Sequence, residues 1–108
     1  MNITCFYQKL HLKMLSNAEE TQVHGVFCGD LVSWILSHAK PGDALISVNV
    51  NENMLAAAKK LGLACVIACH GSPCESLRET ADKQGIWLFS SDDPMAALAQ
   101  KALAALAE

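Results

Sequence analysis

The segment from Gly29 to Asn53 constrains the fold more than any other part of the chain. It contains a capped helix over Asp30–His38, a turn at Pro41-Gly42, an apolar strand over Ala44–Val50 and a polar turn that opens another helix. This alternation of helix and buried strand is typical of an α/β domain. The segment therefore predicts the fold class, although it contains no recognisable catalytic set.

The same βα pattern continues to the end of the chain. Helices are predicted over Asn51–Leu61, Pro73–Gln84 and Pro94–Ala107, and strands over Ala64–Cys69 and Ile86–Ser90. The strands are almost wholly hydrophobic, as expected when helices cover both faces of a parallel sheet. We therefore predict a single compact α/β domain over residues 1–108. It has three layers, with a mainly parallel sheet built from repeated βαβ units.

Several residues predict where these helices begin and end. Gly62 and Gly85 each follow a helical run, at the place where a left-handed residue is favoured. Ser72 and Glu75 have the spacing of a capping box, with a proline at the first helical position. Asp93 also precedes a proline and is expected to cap the last helix.

Two of the predicted helices carry a stripe of residues at helical spacing. Leu31, Trp34, Ile35 and His38 share one face of the first predicted helix. The last helix has a stripe of its own, formed by Met95, Leu98, Ala99, Ala102, Leu103 and Leu106. Its other face is mostly alanine, and 52% of the chain is hydrophobic against 18% charged. Because large apolar surfaces usually mark interfaces, we expect a homodimer.

Residues 1–23 carry the weakest pattern. Ile3–Leu10 fits a short helix or a strand, Leu10–Leu15 alternates like a strand, and Asn17–Thr21 is expected to be a loop. His24–Cys28 is a short β-like segment. The order of the elements in this part is left open by the sequence.

The overall charge and hydropathy exclude several classes of protein. The net charge is −3, and the eight Lys and Arg residues are scattered, which argues against nucleic-acid binding. No apolar run approaches the roughly 20 residues of a membrane-spanning helix. The first residues do not resemble a signal peptide, so a cytoplasmic location is expected. The five cysteines are then expected to be free thiols.

Polar residues follow each predicted strand, where the carboxyl ends of parallel strands meet at one edge of the sheet. Open α/β sheets bind ligands at this edge, so these residues predict a small-ligand pocket for a nucleotide or another phosphate-bearing molecule. The alternative is that the asparagines only form turns and cap a helix. The candidates are Asn49, Asn51, Asn53, His70, Gly71, Ser72 and Ser91.

Cys69, His70 and Cys74 are the densest group of soft metal ligands. They flank one loop and could converge on a metal, or give a thiol redox protein, because a helix N-terminus lowers the pKa of a nearby thiol. The alternative is that Cys69 fills the core and Cys74 is incidental. Their spacing is not a standard zinc pattern. No phosphate-binding glycine loop or nucleophile motif occurs either, so no catalytic residue and no cofactor are predicted.

Much of the chain resembles the DRTGG domain family. The likeness rests on Gly29–Ser33, Ala39–Ser47 and Leu61–Ile67, and the strand at Ile86–Ser91 also fits. The motif that names the family, Asp-Arg-x-x-Thr-Gly-Gly, corresponds here to Glu20–Val26, in which only one glycine is kept.

This resemblance implies a compact α/β domain that dimerises and acts as a non-catalytic regulatory or interaction module. Such domains occur alone, beside CBS domains in regulatory pyrophosphatases, and in phosphotransacetylases. Stand-alone proteins of this kind are associated with anaerobic redox and hydrogenase-related genes. A protein partner in an anaerobic redox or regulatory context is therefore implied.

Overall fold

The computed structural model describes all 108 residues. In chain order the elements are α1 (Ile3–Lys9), β1 (Lys13–Ser16), β2 (Gly25–Cys28), α2 (Val32–His38), β3 (Asp43–Ser47), α3 (Glu52–Leu61), β4 (Cys65–Ala68), a short 3₁₀ turn (Glu75–Leu77), α4 (Arg78–Gln84), β5 (Leu88–Ser90) and α5 (Met95–Leu106).

The strands form one five-stranded sheet in the order β1-β5-β4-β3-β2. The strands β2 to β5 are parallel, and β1 alone runs antiparallel, beside β5. The predicted α/β fold with a mainly parallel sheet is confirmed. Successive parallel strands are neighbours, so the connecting helices α2, α3 and α4 lie on the same face of the sheet.

Two buried clusters, one on each face of the sheet, make the structure three-layered. On the first face α1 and α5 cover the sheet through Phe6, Leu98 and Ala102, against Ile46 and Ile67. On the second face Ile35, Leu55 and Ala81 of α2, α3 and α4 pack against alternate strand residues such as Leu45 and Val66. The alternation follows from the two-residue period of a strand. The predicted three layers are therefore present.

The N-terminal region, which the sequence left open, begins with a helix. Asn2 caps α1, since its side-chain oxygen accepts the backbone N–H of Thr4 at 2.7 Å. The strand predicted over Leu10–Leu15 is shifted to β1 at Lys13–Ser16. Leu10 instead ends the helix and is buried beneath it.

The predicted C-terminal ends of two helices are confirmed. Gly62 and Gly85 follow α3 and α4 in the left-handed conformation, with φ of 72° and 69°. Each donates its N–H back to the last turn of its helix, which satisfies carbonyl groups that would otherwise lack a partner. The strand predicted over Ala44–Val50 is shorter than expected and ends at Ser47.

The face of α2 that the sequence predicted from its spacing is mostly exposed. Of Leu31, Trp34, Ile35 and His38, only Ile35 is buried, and Leu31 lies before the first helical residue, Val32. The helix is only seven residues long and packs beside α3, and Ile35 is its one buried residue. Trp34 stays exposed and stacks on His38 with ring centroids 3.8 Å apart.

The stripe predicted for α5 is correct except at Leu103. That side chain is 56% exposed, and Ala105 is buried in its place. The difference is a rotation of the helix: Leu98, Ala102 and Ala105 face the sheet. Small residues at these positions let the helix axis come close to the strands.

The helix caps predicted from the side chains of Ser72 and Asp93 do not form. The Ser72 hydroxyl donates to the Cys69 carbonyl at 2.6 Å, and the Glu75 carboxylate accepts the N–H of Cys74, so the capping box does not form. Cys74 is buried in the core, and a 3₁₀ turn at Glu75–Leu77 precedes α4. The helix therefore does not begin at Pro73, as the sequence predicted. The Asp93 carboxylate pairs with Lys101 at 2.8 Å.

None of the helices has both the length and the hydrophobicity that a membrane span requires.

Candidate functional site

A polar cleft of about 450 Å³ lies at the carboxyl edge of the sheet. Eleven residues line it, and Leu10 is the only hydrophobic one. The others are His11, Lys13, Gly71, Ser72, Glu75, Ser90, Ser91, Asp92, Asp93 and Lys101. Its volume lies within the range of about 300–1,000 Å³ that is usual for small-molecule sites.

The topology of the sheet creates this cleft. The loop after β4 leads to α4 on one face, and the loop after β5 leads to α5 on the opposite face. Two adjacent parallel strands whose connections leave in opposite directions open a crevice between them, which is where open α/β sheets bind their ligands. The antiparallel strand β1 closes the side of the crevice, because Lys13 pairs with Ser90.

Backbone hydrogen bonds tie the two loops together. The N–H of His70 donates to the Asp93 carbonyl at 2.8 Å, and the N–H of Gly71 donates to the Ser91 carbonyl at 2.9 Å. His70 and Gly71 are both left-handed, with φ of 57° and 65°. A Cβ at Gly71 would lie 3.3 Å from Asp92 Oδ1, so glycine keeps this loop close to its neighbour.

Basic and acidic side chains both line the cleft. The Lys101 Nζ lies 2.8 Å from Asp93 Oδ2, whereas Lys13 Nζ is 3.9 Å from Glu75 Oε1. Hydrogen bonds from the backbone N–H groups of Glu75 and Cys74 hold the pKa of the Glu75 carboxyl below its ordinary value, so this group is ionised at neutral pH. These exposed pairs are weak and can rearrange around a charged ligand.

The structure brings together three of the residues predicted for a ligand pocket. Gly71, Ser72 and Ser91 line the cleft. His70 belongs to the same loop, but its ring turns away and its Nε2 accepts the backbone N–H of Met95 at 2.9 Å. His70, rather than Asp93, therefore caps α5.

The three asparagines lie outside the cleft. The Asn51 side-chain oxygen caps α3 by accepting the N–H of Met54 at 2.9 Å, and the Asn49 backbone N–H donates to Ser47 Oγ at 3.1 Å. Asn53 lies on the exposed side of α3, beside a shallow groove formed with α2. The turn-forming and capping alternative therefore describes Asn51 directly.

The proposed convergence of Cys69, His70 and Cys74 is wrong. Cys69 is buried on the α1–α5 face of the sheet, and Cys74 is buried on the opposite face. No group of three His, Cys, Asp or Glu residues in the chain has the geometry of a metal site. Burial raises the pKa of both thiols, contrary to the lowering expected at a helix N-terminus. The alternative in which Cys69 fills the core is correct.

Sequence reasoning missed the basic residues of the cleft. His11, Lys13 and Lys101 come from the α1–β1 turn, the start of β1 and the second turn of α5. Their position depends on β1 running antiparallel beside β5, which no local pattern in residues 1–23 specifies. The positive φ of 54° at His11 marks the turn that delivers Lys13 to the cleft.

Comparison with known proteins supports the fold. No protein-family model matches the chain, and no curated protein matches it. Among solved structures it is similar to the CBS and DRTGG domains of the regulatory region of Clostridium perfringens pyrophosphatase, complexed with the activator diadenosine tetraphosphate. The TM-score is 0.72 at 14% identity, over 96% of this chain and 46% of that one.

At this level of identity the likeness shows the fold alone. The chain therefore has a DRTGG-like fold and spans about half the length of the structure it matches. The activator and the regulatory role are properties of the pyrophosphatase.

Proposed function

We propose that this chain, with its DRTGG-like fold, is a non-catalytic regulatory module that senses a phosphate-bearing small molecule, such as a nucleotide. The observation that carries the proposal is the polar cleft at the crevice between β4 and β5. The cleft lies where α/β sheets hold their ligands, and its lining offers both positive charge and hydrogen-bonding groups.

The phosphate would bind between Lys13 and Lys101. Both lysines reach the cleft, and their carboxylate partners are exposed enough to give way to a phosphate. A phosphate offers stronger charge-assisted hydrogen bonds than an exposed carboxylate pair. Ser72 and Ser91 stand on the two facing loops and would complete the contact.

A nucleotide fits the acidic side of the cleft better than inorganic phosphate does. The Asp92 carboxylate makes no hydrogen bond within the chain. It lies beside Gly71, where it would accept hydrogen bonds from ribose hydroxyls. A ligand with an anionic end and a hydroxyl-rich end would therefore use both halves of the lining.

The chain shares its fold with about half of a pyrophosphatase regulatory region that is complexed with a nucleotide activator, which supports the sensing role by analogy of fold. We further propose that the module acts as a homodimer and passes the ligand signal to a protein partner in a regulatory or anaerobic redox context. The exposed Leu31, Trp34 and Leu103 provide apolar surface for such contacts.

Calorimetric titration and thermal shift with mononucleotides, diadenosine polyphosphates, acyl phosphates and inorganic phosphate test the sensing role. We expect at least one nucleotide to raise the melting temperature of the wild-type chain and to bind at least about tenfold more weakly to Lys13→Ala and Lys101→Ala, because a charge-assisted bond is worth about 1.5–3 kcal/mol. The control is Lys83→Ala, which removes a lysine paired with Glu79 on α4, outside the cleft. A flat response to the whole panel would overturn the proposal.

A further inference from the structure

Three hydrogen bonds join the loop after β4 to the segment that leads into α5, and only one of them depends on a proton. Two are backbone bonds, from the N–H of His70 to the Asp93 carbonyl and from the N–H of Gly71 to the Ser91 carbonyl. The third runs from the N–H of Met95 to Nε2 of the His70 ring, at 2.9 Å. Backbone groups do not titrate near neutral pH, so the ring bond alone changes with pH.

The His70 ring must be neutral to make this bond. A neutral imidazole has one nitrogen that donates and one that accepts, whereas a protonated ring donates from both. Because Nε2 accepts the N–H of Met95, the proton of the neutral ring lies on Nδ1. Protonation would place a second N–H against that of Met95, and the bond would be lost.

No other side chain takes this place at the start of α5. Pro94 occupies the N-cap position and has no side-chain acceptor. The Asp93 carboxylate pairs with Lys101. Within the first turn, the N–H of Met95 is the one that a side chain accepts, and His70 provides that side chain. The cap of α5 therefore depends on the protonation state of a single ring.

The ring bond links both walls of the cleft. Gly71, on one wall, follows His70 directly in the chain. Asp92 and Asp93, on the other wall, immediately precede α5, which also carries Lys101. A bond from the His70 ring to the first residue of α5 therefore fixes the position of one wall relative to the other.

We propose that His70 is a pH-dependent latch, whose neutral ring holds the start of α5 against the loop after β4 and whose protonation releases α5 and loosens the cleft. The latch regulates the cleft of the proposed function and in that respect rests on it. Histidine is the side chain whose charge ordinarily changes between pH 5 and 8. The stabilisation is complete while the ring is neutral and is lost as pH falls.

Other charged groups lie around this corner of the cleft. They are Asp92 and Asp93 on the facing loop, Lys101 on α5, Glu75 before α4, and His11 and Lys13 at the side of β1. The segment 48–51, after β3, adds no titratable group, and Asp30, after β2, is engaged by the Ser47 hydroxyl and the N–H of Val48. Burial raises the pKa of the neighbouring Cys69 thiol, so it stays neutral in this range. A test of the latch must therefore leave the surrounding charges unchanged.

NMR spectroscopy of the ¹⁵N-labelled, ligand-free chain tests the latch directly. At pH 8 we expect Nδ1 of His70, and not Nε2, to carry the proton. As pH falls to 5, the amide signal of Met95 should move together with the protonation of the ring, and the amide signals of Asp92 and Lys101 in the cleft should follow. The amide signal of Gly62, at the end of α3 and outside the cleft, should not change with them.

A glutamine at position 70 separates the latch from the other titrating groups. The side-chain oxygen of glutamine accepts an N–H as Nε2 does, but it takes up no proton. Between pH 8 and pH 5, the unfolding constant of the wild-type chain should rise about fivefold more than that of His70→Gln, because loss of a helix N-cap changes this equilibrium by about that factor. Any strain of glutamine at this left-handed position is independent of pH and cancels from the comparison.

The matched control is His11→Gln. His11 also has a positive φ and lines the same cleft, but it caps no helix. The unfolding constant of this variant should therefore depend on pH as that of the wild-type chain does. Circular dichroism checks that both variants fold, and if His70→Gln does not, the Met95 titration of the wild-type chain decides alone.

Four outcomes would overturn the latch: a proton on Nε2 at pH 8, a Met95 signal that does not follow the ring, a folded His70→Gln chain with the pH dependence of the wild type, or equal effects of the two glutamine variants. A latch that titrates as expected, beside a flat response to the nucleotide panel, would be retained while the sensing role is contradicted. A nucleotide that binds a chain whose Met95 signal does not change would support sensing and overturn the latch.

Discussion

The Nε2 of His70 accepts the backbone N–H of Met95 at 2.9 Å, although the two residues are 25 positions apart. The first residues of a helix lack partners for their N–H groups, and a side chain close in sequence usually supplies one. Here a loop from the neighbouring strand does so. The start of α5 is thus fixed to the same loop that lines the cleft.

Removal of this cap should destabilise the protein. We expect His70→Ala to lower the free energy of unfolding by about 1 kcal/mol, the usual effect of losing a helix N-cap. The control is His11→Ala, because His11 has nearly the same positive φ, 54° against 57°, but caps no helix. Urea unfolding compares the two variants. Equal losses would mean that the effect comes from backbone strain and not from the cap.

Two glycines with positive φ should respond differently to alanine. A Cβ at Gly42 would lie 2.5 Å from His24 Cδ2, whereas at Gly62 the nearest atom is 4.0 Å away. Gly62→Ala should therefore show only the conformational penalty of roughly 1–2 kcal/mol. Gly42→Ala should lose more, measured by thermal or urea unfolding. In a Gly42→Ala chain, adding His24→Ala should restore part of the extra loss of stability, because it removes the side chain that the new Cβ meets. If the losses of the two single variants simply add, the contact between residues 42 and 24 is not the cause.

The five cysteines should divide into two groups toward a thiol reagent. Cys5 and Cys28 are exposed, and Cys65, Cys69 and Cys74 are buried. Partial burial and the nearby Asp30 raise the pKa of Cys28, so its thiolate fraction is small at neutral pH and grows as pH rises. We expect two fast thiols in the native chain and five in urea, with Cys28→Ser removing one of the fast pair. A third fast thiol in the native chain would contradict the buried placement of Cys69 and Cys74.

The fold should lose stability in alkaline solution. Burial raises the pKa of Cys65, Cys69 and Cys74 in the folded state, so only the unfolded chain releases these protons near the ordinary value of about 8.5. The stabilisation is complete below that pH and declines as pH rises toward the folded-state values. Urea midpoints at pH 7, 8.5 and 10 measure it. Cys65→Ala should make the fall of the urea midpoint with pH less steep. An unchanged slope would show that other groups cause the loss of stability.

The sequence predicted the elements from Gly29 onward because their signals are local. Gly62 and Gly85 end helices through the conformation of one residue, and the apolar strands reveal burial on both faces. The errors concern contacts between distant segments. Ser72 has the spacing of a helix cap, yet its hydroxyl donates to the Cys69 carbonyl. At the start of α5, the N–H of Met95 is bound by His70, from the loop after β4, and not by Asp93.

The candidate site was predictable only in part, for the same reason. Gly71, Ser72 and Ser91 follow parallel strands, and the rule for such strands places them at one edge. Lys13 reaches that edge because β1 is antiparallel, and Lys101 does so because α5 crosses to the opposite face. Both facts depend on the pairing of the whole sheet, which no window of sequence contains.

The position of α5 has a consequence for the order in which the protein can form during synthesis. The sheet has all its strands once Ser90 has been added, and α2, α3 and α4 already cover one face. Ala44 and Ile46 on the other face stay in contact with water until Leu98 and Ala102 arrive. A nascent chain that ends before α5 would therefore expose the apolar part of the sheet that α5 covers, over β2 and β3, and α5 completes a part of the core whose strands were made earlier.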